Sequence, residues 1–183
     1  MKRNLLLPFL CVCTLILICS CVKDTDFDQA DEIALTPVVE LDLIYFNLEA
    51  SDFFDSISQT PRLEVTDTTE IRFLDDTFVQ EDLKSAEFLF NFTNSIPRNF
   101  QVDFRFLNET NDTTYTAGTT VAEGSLANPV VTSYTETVID EDVISLTQAD
   151  RVVVVVTIPS ADASLEGALN LQSKTTYFLE IKD

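Results

Sequence analysis

Residues 86–107 read Ala-Glu-Phe-Leu-Phe-Asn-Phe-Thr-Asn-Ser-Ile-Pro-Arg-Asn-Phe-Gln-Val-Asp-Phe-Arg-Phe-Leu. Phe88, Phe90 and Phe92 recur at every second position, and so do Phe100, Val102, Phe104 and Phe106. A period of two puts each set on one face of an extended strand. Gln101, Asp103 and Arg105 take the opposite face of the second strand, so its sheet is expected to show one side to water. Asn94-Ser95-Ile96-Pro97-Arg98 between them carries turn chemistry. At this spacing the phenylalanines read as core rather than as a ligand-stacking platform.

The same alternation extends outward. Residues 38–48 place Val39, Leu41 and Leu43 between Glu40 and Asp42, and residues 69–74 do so with Ile71 and Phe73; both are predicted strands. Residues 115–118 follow a polar turn at 108–114, and 130–139 are rich in Thr and Val, as strands are. Arg151-Val-Val-Val-Val-Val-Thr-Ile158 is apolar on both faces and is expected to be a central strand or one covered by loops, because an exposed edge of this kind aggregates. Residues 169–172 and 175–182 are expected to close the chain as a hairpin. Residues 141–149 are the one predicted helical segment, with Asp140 as its cap and Val143, Ile144 and Leu146 turned inward. The resulting fold class is all-β: an antiparallel two-sheet sandwich, immunoglobulin-like or related, with at most one short helix. With only three glycines, Gly118, Gly124 and Gly167, its turns are expected to use Asn, Asp and Thr.

Composition narrows function by exclusion. The 183 residues carry 31 Asp and Glu against 11 Lys and Arg, a net charge of −20, which argues against nucleic acid as a partner because that binding rests on cations neutralising phosphates. There is no His, no Trp and, after residue 21, no Cys. His general bases, Cys nucleophiles, Cys/His zinc sites and disulfides are therefore not available to the domain. No phosphate loop, nucleophile elbow or metalloprotease motif occurs. Asp24-x-Asp26-x-Asp28 begins like a calcium loop, but Gln29 and Leu35 stand where its Gly and Glu belong. Acidic pairs such as Asp75-Asp76 and the triplet Asp140-Glu141-Asp142 read as solvated turns. A non-catalytic protein with no cofactor, no metal and no catalytic residue is the expectation. Of polar aromatics the chain has Tyr45, Tyr115, Tyr134 and Tyr177.

The N-terminus is the most specific part of the sequence. Met1-Lys2-Arg3-Asn4 is a basic start, and residues 5–20 form an apolar run that is short for a membrane-spanning helix and interrupted by Pro8. Ile18-Cys19-Ser20-Cys21 resembles the lipobox of bacterial lipoproteins, in which an aliphatic, a variable and a small residue precede the modified Cys. Only Cys21 fits, since Cys11, Cys13 and Cys19 follow Leu10, Val12 and Ile18. The resemblance implies a signal peptide at 1–20, lipidation of Cys21 and a membrane contact through N-terminal acyl chains, where two or more chains hold a domain stably. Residues 21–36 read as an acidic tether and 37–183 as the β-sandwich domain. Lys23 followed by Asp24, Asp26 and Asp28 is similar to the signal that exports lipoproteins of Bacteroidota, flavobacteria included, to the outer face of the outer membrane. That implies an outer-membrane protein facing the cell surface; the alternative is the periplasmic leaflet. Asp55-Ser56-Ile57, Asp67-Thr68-Thr69 and Asp112-Thr113-Thr114 are similar to the O-glycosylation acceptor of the same bacteria, which makes Ser56, Thr68 and Thr113 candidate sugar sites on loops. The function expected is an accessory subunit or interaction module of an outer-membrane complex, with another envelope protein as partner. The alternative is a surface lipoprotein that binds a glycan or other ligand, although the absence of Trp removes the best sugar-stacking side chain.

Overall fold

Among the described residues, eight strands of seven residues or more carry the structure: β1 (Val38–Glu49), β2 (Glu64–Glu70), β3 (Leu83–Asn94), β4 (Phe100–Leu107), β5 (Thr113–Val121), β6 (Val130–Val138), β7 (Arg151–Thr157) and β8 (Ala168–Leu179). The computed structural model describes residues 34–182, and the strands all belong to the unit Leu35–Ile181 within them. They pair antiparallel in two four-stranded sheets, ordered β1-β8-β3-β6 and β2-β7-β4-β5. All consecutive strands except β4 and β5 lie in different sheets. The fold is thus an all-β antiparallel sandwich, as the alternation predicts. Its strand order is that of a jelly roll and not of the immunoglobulin domain, where neighbours in sequence often pair within one sheet.

The Phe-rich stretch explains why. β3 and β4 do not pair with each other; the chain between them crosses from one sheet to the other, so the two Phe faces meet across the core. The Phe88 and Phe106 rings lie 5.1 Å apart, and Phe90 stacks on Phe104 at 4.0 Å. All of these rings are buried. Among the described residues, the buried side chains of the core belong to residues 43–179. At about 1.5–3 kcal/mol for each large side chain removed from water, this core is the main stabilising term.

Asn94 makes the crossover. Its buried side chain donates to the carbonyls of Arg98 and Ala122, both at 2.8 Å, and accepts from the Ile96 N–H at 2.8 Å. Gly124 must lack a side chain here, since a Cβ would stand 1.9 Å from the Asn94 carbonyl oxygen. The expected Asn/Asp turns are present: Asn108 accepts from the Thr110 and Asp112 N–H groups, and Asp55 from those of Ile57 and Ser58.

Several expectations need correction. Among the described residues there are two short helices, α1 (Thr77–Asp82) and α2 (Glu141–Leu146), not at most one. α1 is capped by Asp76, which accepts from the Phe78 N–H at 3.0 Å, and only Val79 on it is buried, too sparse a pattern to be read as a helix. In α2, Val143 and Leu146 face inward, but Ile144 is 64 % exposed, and the Asp140 side chain makes no cap. The strand expected at 69–74 lies upstream as β2; Arg72–Asp75 instead form a 3-10 turn that buries Ile71 and Leu74 at the sandwich rim. The expected C-terminal hairpin is the single strand β8, bulged between Gln172 and Lys174. There the Ser173 hydroxyl accepts from the Ile44 N–H at 3.0 Å and donates to the Ile44 carbonyl at 2.6 Å, replacing ladder bonds. β7 lies between β2 and β4, so of the two positions its doubly apolar sequence allows it takes the central one.

Candidate functional site

The four outer edges of the two sheets are chemically unequal. β1 and β2, the edges on one side, carry Glu40, Asp42 and Glu49, and Glu64, Asp67 and Glu70. β5 and β6, the edges on the other, read Thr-Thr-Tyr-Thr-Ala-Gly-Thr-Thr-Val and Val-Val-Thr-Ser-Tyr-Thr-Glu-Thr-Val. Glu136 is the only charge in those two nine-residue strands. Neither holds Lys, Pro or an outward carboxylate, the devices that normally blunt an edge against pairing with another chain.

Glu136 is itself committed. Its carboxylate accepts hydrogen bonds from the hydroxyls of Tyr115 on β5 and Tyr134 on β6, which joins the two sheets on this side. The rings continue into the core, Tyr134 stacked on Phe90 at 6.0 Å and Tyr115 edge-on to Phe106 at 5.7 Å. Burial and the bond to Glu136 push the Tyr134 phenol up to about 12, and the same causes push Tyr115 up further.

A second feature is a cleft of about 410 Å3 between β1 and the turn after β2. Leu41, Leu43, Ile71 and Phe73 wall it, and Thr175 and Tyr177 of β8 form its floor. Asp42, Glu70 and Arg72 stand at its rim, where Arg72 is held by Glu70 at 2.8 Å. The Thr175 hydroxyl is buried and has no hydrogen-bond partner. The Tyr177 phenol, which packs on Phe73 at 4.7 Å, is raised by burial. It lies near enough to Thr175 for that hydroxyl to offset part of the rise.

The third feature is the outer face of the β1-β8-β3-β6 sheet. Register puts Tyr45, Gln172, Asn91 and Ser133 in one row across it and Asn47, Asn170, Thr93 and Val131 in the next. Tyr45 is 80 % exposed.

The residues singled out in the sequence are not brought together. Ser56 lies in the exposed turn of the small ribbon formed by Phe54–Asp55 and Thr60–Pro61. Thr68 lies within edge strand β2 and so is not on a loop, while Thr113 starts β5 at the opposite edge of that sheet. All three are exposed. Cys21, the 1–20 segment, most of the 21–36 tether and the Asp24, Asp26 and Asp28 carboxylates lie outside the described residues. Of the four tyrosines, only Tyr45 offers an open ring face; nothing in the sequence pattern signals that Tyr115 and Tyr134 share one carboxylate or that Tyr177 floors a cleft. Among the described residues no group of three or more Asp, Glu, His or Cys could hold a metal ion, and no helix is long and apolar enough to cross a membrane.

No protein-family model matches the chain, and no curated protein matches it. Among solved structures it is similar to a putative secreted protein from Parabacteroides distasonis, at 14% identity over 62% of this chain and 37% of that one, with a TM-score of 0.45. It is similar also to the VP2 subviral particle protein of infectious bursal disease virus, at 9% identity over 78% and 32%, TM-score 0.45. A third is the enzymatically active domain of tailspike protein 4 from bacteriophage CBA120, at 11% identity over 78% and 19%, TM-score 0.39. The chain spans only about a third of the length of the first two.

Proposed function

We propose that this is a non-catalytic, lipid-anchored protein of the bacterial outer membrane that serves as an interaction module of a larger envelope complex. The supporting observation is the asymmetry of its edges: in a chain of net charge −20, one side of the sandwich presents two nine-residue strands whose single charge is engaged by two tyrosines. An extended segment of a partner protein, uncharged or basic, would add to such an edge through main-chain hydrogen bonds, with its side chains read by the Thr and Val positions. Acyl chains on Cys21 and the 21–36 tether would hold the domain at the membrane surface facing outward, where confinement raises its effective concentration for a membrane partner.

The test is co-purification of a C-terminally tagged full chain from solubilised outer membranes, with mass spectrometry of the partner and of the N-terminal peptide. A stoichiometric partner lost on Thr116→Lys with Thr135→Lys, two exposed positions, and an acylated Cys21 peptide are the expected results. Cys21→Ala should leave a larger precursor without acyl mass. A partner retained unchanged by both lysines would remove the edge from the account, and normal maturation of Cys21→Ala would remove the anchor.

A glycan-binding surface is the second reading, and the uncharged Asn/Gln/Ser rows beside exposed Tyr45 favour it. Amide and hydroxyl groups can pair with sugar hydroxyls while the ring covers an apolar sugar face. Retention of the protein on a neutral glycan array, abolished by Tyr45→Ala, would place this reading first.

A further inference from the structure

We infer that, of the two uncharged edges, β6 is the one that takes a partner's strand, and that the strand it takes is an extended segment carrying two successive basic residues. This rests on the docking proposed above and adds its edge and its chemistry. The side chains of β6 close over β5. Thr132, Tyr134 and Glu136 alternate on the half-buried face of β6. The Thr132 hydroxyl accepts from the Ala122 N–H at 3.3 Å just past the end of β5, and Glu136 holds the Tyr115 hydroxyl near its start. Between them the Gly118 N–H lies close enough to the Tyr134 hydroxyl to hold down part of the rise in that phenol. Among the described residues β6 has no such cover. Its main chain from Val130 to Val138 bonds only to β3, and the Ser133 hydroxyl turns back to β3 as well, donating to Asn91 at 2.7 Å. A strand with one row of main-chain donors and acceptors left unpaired is a template for strand addition.

Charge chooses the segment. A strand added beside β6 places one side chain opposite Glu136 on the inner face and the next opposite Thr137 on the outer face. Glu136 accepts one hydroxyl on each oxygen, which leaves its charge in place and a further lone pair on each. Thr137 pairs with Glu87 of β3, so a long basic side chain beside Thr137 can reach that carboxylate across a short one. The two cations of this sheet do not oppose such a segment. Lys174 lies on β8, two strands in, and is held by Glu40 at 3.0 Å; Lys84 lies on β3 beyond the end of the β6 pairing, 3.8 Å from Glu180. Beside β5, in contrast, Asp103 and Arg105 of β4 stand opposite Gly118 and Thr116, a pair with no net charge to select a basic strand.

The experiment uses the full chain in detergent and an end-blocked, rhodamine-labelled peptide of alternating Thr and Val with a central Lys-Lys pair, read by fluorescence anisotropy. Glu-Glu in place of Lys-Lys tests the charge, and Pro in place of two Thr keeps the charge while removing main-chain donors. Binding of the Lys-Lys peptide is expected, weakened about tenfold by either change. Thr135→Lys, exposed on β6, should abolish it, while Thr120→Lys, exposed on β5, should leave the affinity within about twofold. Thr137→Lys gives the same comparison should Thr135→Lys fold poorly. No binding of the Lys-Lys peptide, equal binding of the Glu-Glu or Pro versions, or an affinity that Thr120→Lys lowers as much as Thr135→Lys does would each overturn the proposal. A dimer in sedimentation that Thr135→Lys dissolves would give the edge to a second copy and overturn it too. None of these results touches the docking reading itself, which falls only if the native partner is retained by the double lysine variant.

Discussion

Phe90 and Asn94 sit four residues apart on one strand, and only one of them is readable without the fold. Phe90 belongs to a period-two series whose burial follows from the pattern alone. Its ring meets Phe104 and Tyr134, and Phe90→Ala should cost about 3–5 kcal/mol in urea unfolding, as large core truncations do. Asn94 looks like any turn residue in sequence, because what buries it is the approach of the Ala122 and Arg98 carbonyls from other segments. Asn94→Ala abandons those carbonyls and the Ile96 N–H in the interior, and a loss of about 2–4 kcal/mol is expected in the same assay. Tyr134 supplies the pH dependence. Its folded pKa of about 12 lies above the ordinary value of 10.0, so the neutral phenol is what the fold favours. That contribution is complete below pH 10 and is lost as pH rises from 10 through 12. Absorbance at the phenolate band should show late-titrating tyrosines, of which Tyr134→Phe removes one while Tyr177 remains; a Tyr134 signal completed near pH 10 would contradict the geometry.

Strands with regular alternation are legible as elements, and those that break it are not. β3, β4 and β7 fall within a few residues of where their patterns place them. β8 reads as two strands because Gln172-Ser173-Lys174 interrupts the apolar alternation, and a bulge cannot be told from a turn without the neighbouring strand whose backbone Ser173 serves. β2 is displaced from its expected position because Ile71 and Phe73 keep period two while belonging to the 3-10 turn that follows it. Connections between elements rest on backbone fit. Gly167 holds φ +112° and a Cβ there would stand 2.5 Å from the Ser95 carbonyl oxygen, beside the bond from Ala50 N–H to its own carbonyl. Gly167→Ala should therefore lower stability by about 1–3 kcal/mol, seen as a shift in the thermal midpoint, through strain and displacement of the β3–β4 crossover.

For the whole molecule, sequence predicts two layers but not the strand order, since a β-sandwich pattern is compatible with hairpin neighbours or with crossovers. The decision rests on tertiary contacts, the Phe faces of β3 and β4 meeting across the core instead of side by side. The candidate sites are even less legible: the edge asymmetry emerges only when β5 and β6 are known to be edges, and the cleft floor only when β8 is known to lie beside β1. Net charge, in contrast, is plain from composition and acts on the molecule as a whole. Self-repulsion among the acids is screened by salt, so the melting temperature should rise as NaCl is increased from about 0.01 M to about 1 M. The central claim is that one side of this sandwich is left open for a partner's strand. Photo-crosslinking in intact membranes tests it most directly, with the reactive residue placed at Thr116 or Thr135 on the uncharged side and at Asp42 or Glu64 on the acidic side. Discrete adducts to one envelope protein from the first pair and none from the second are predicted; adducts from the acidic side alone, or from both sides equally, would contradict the account.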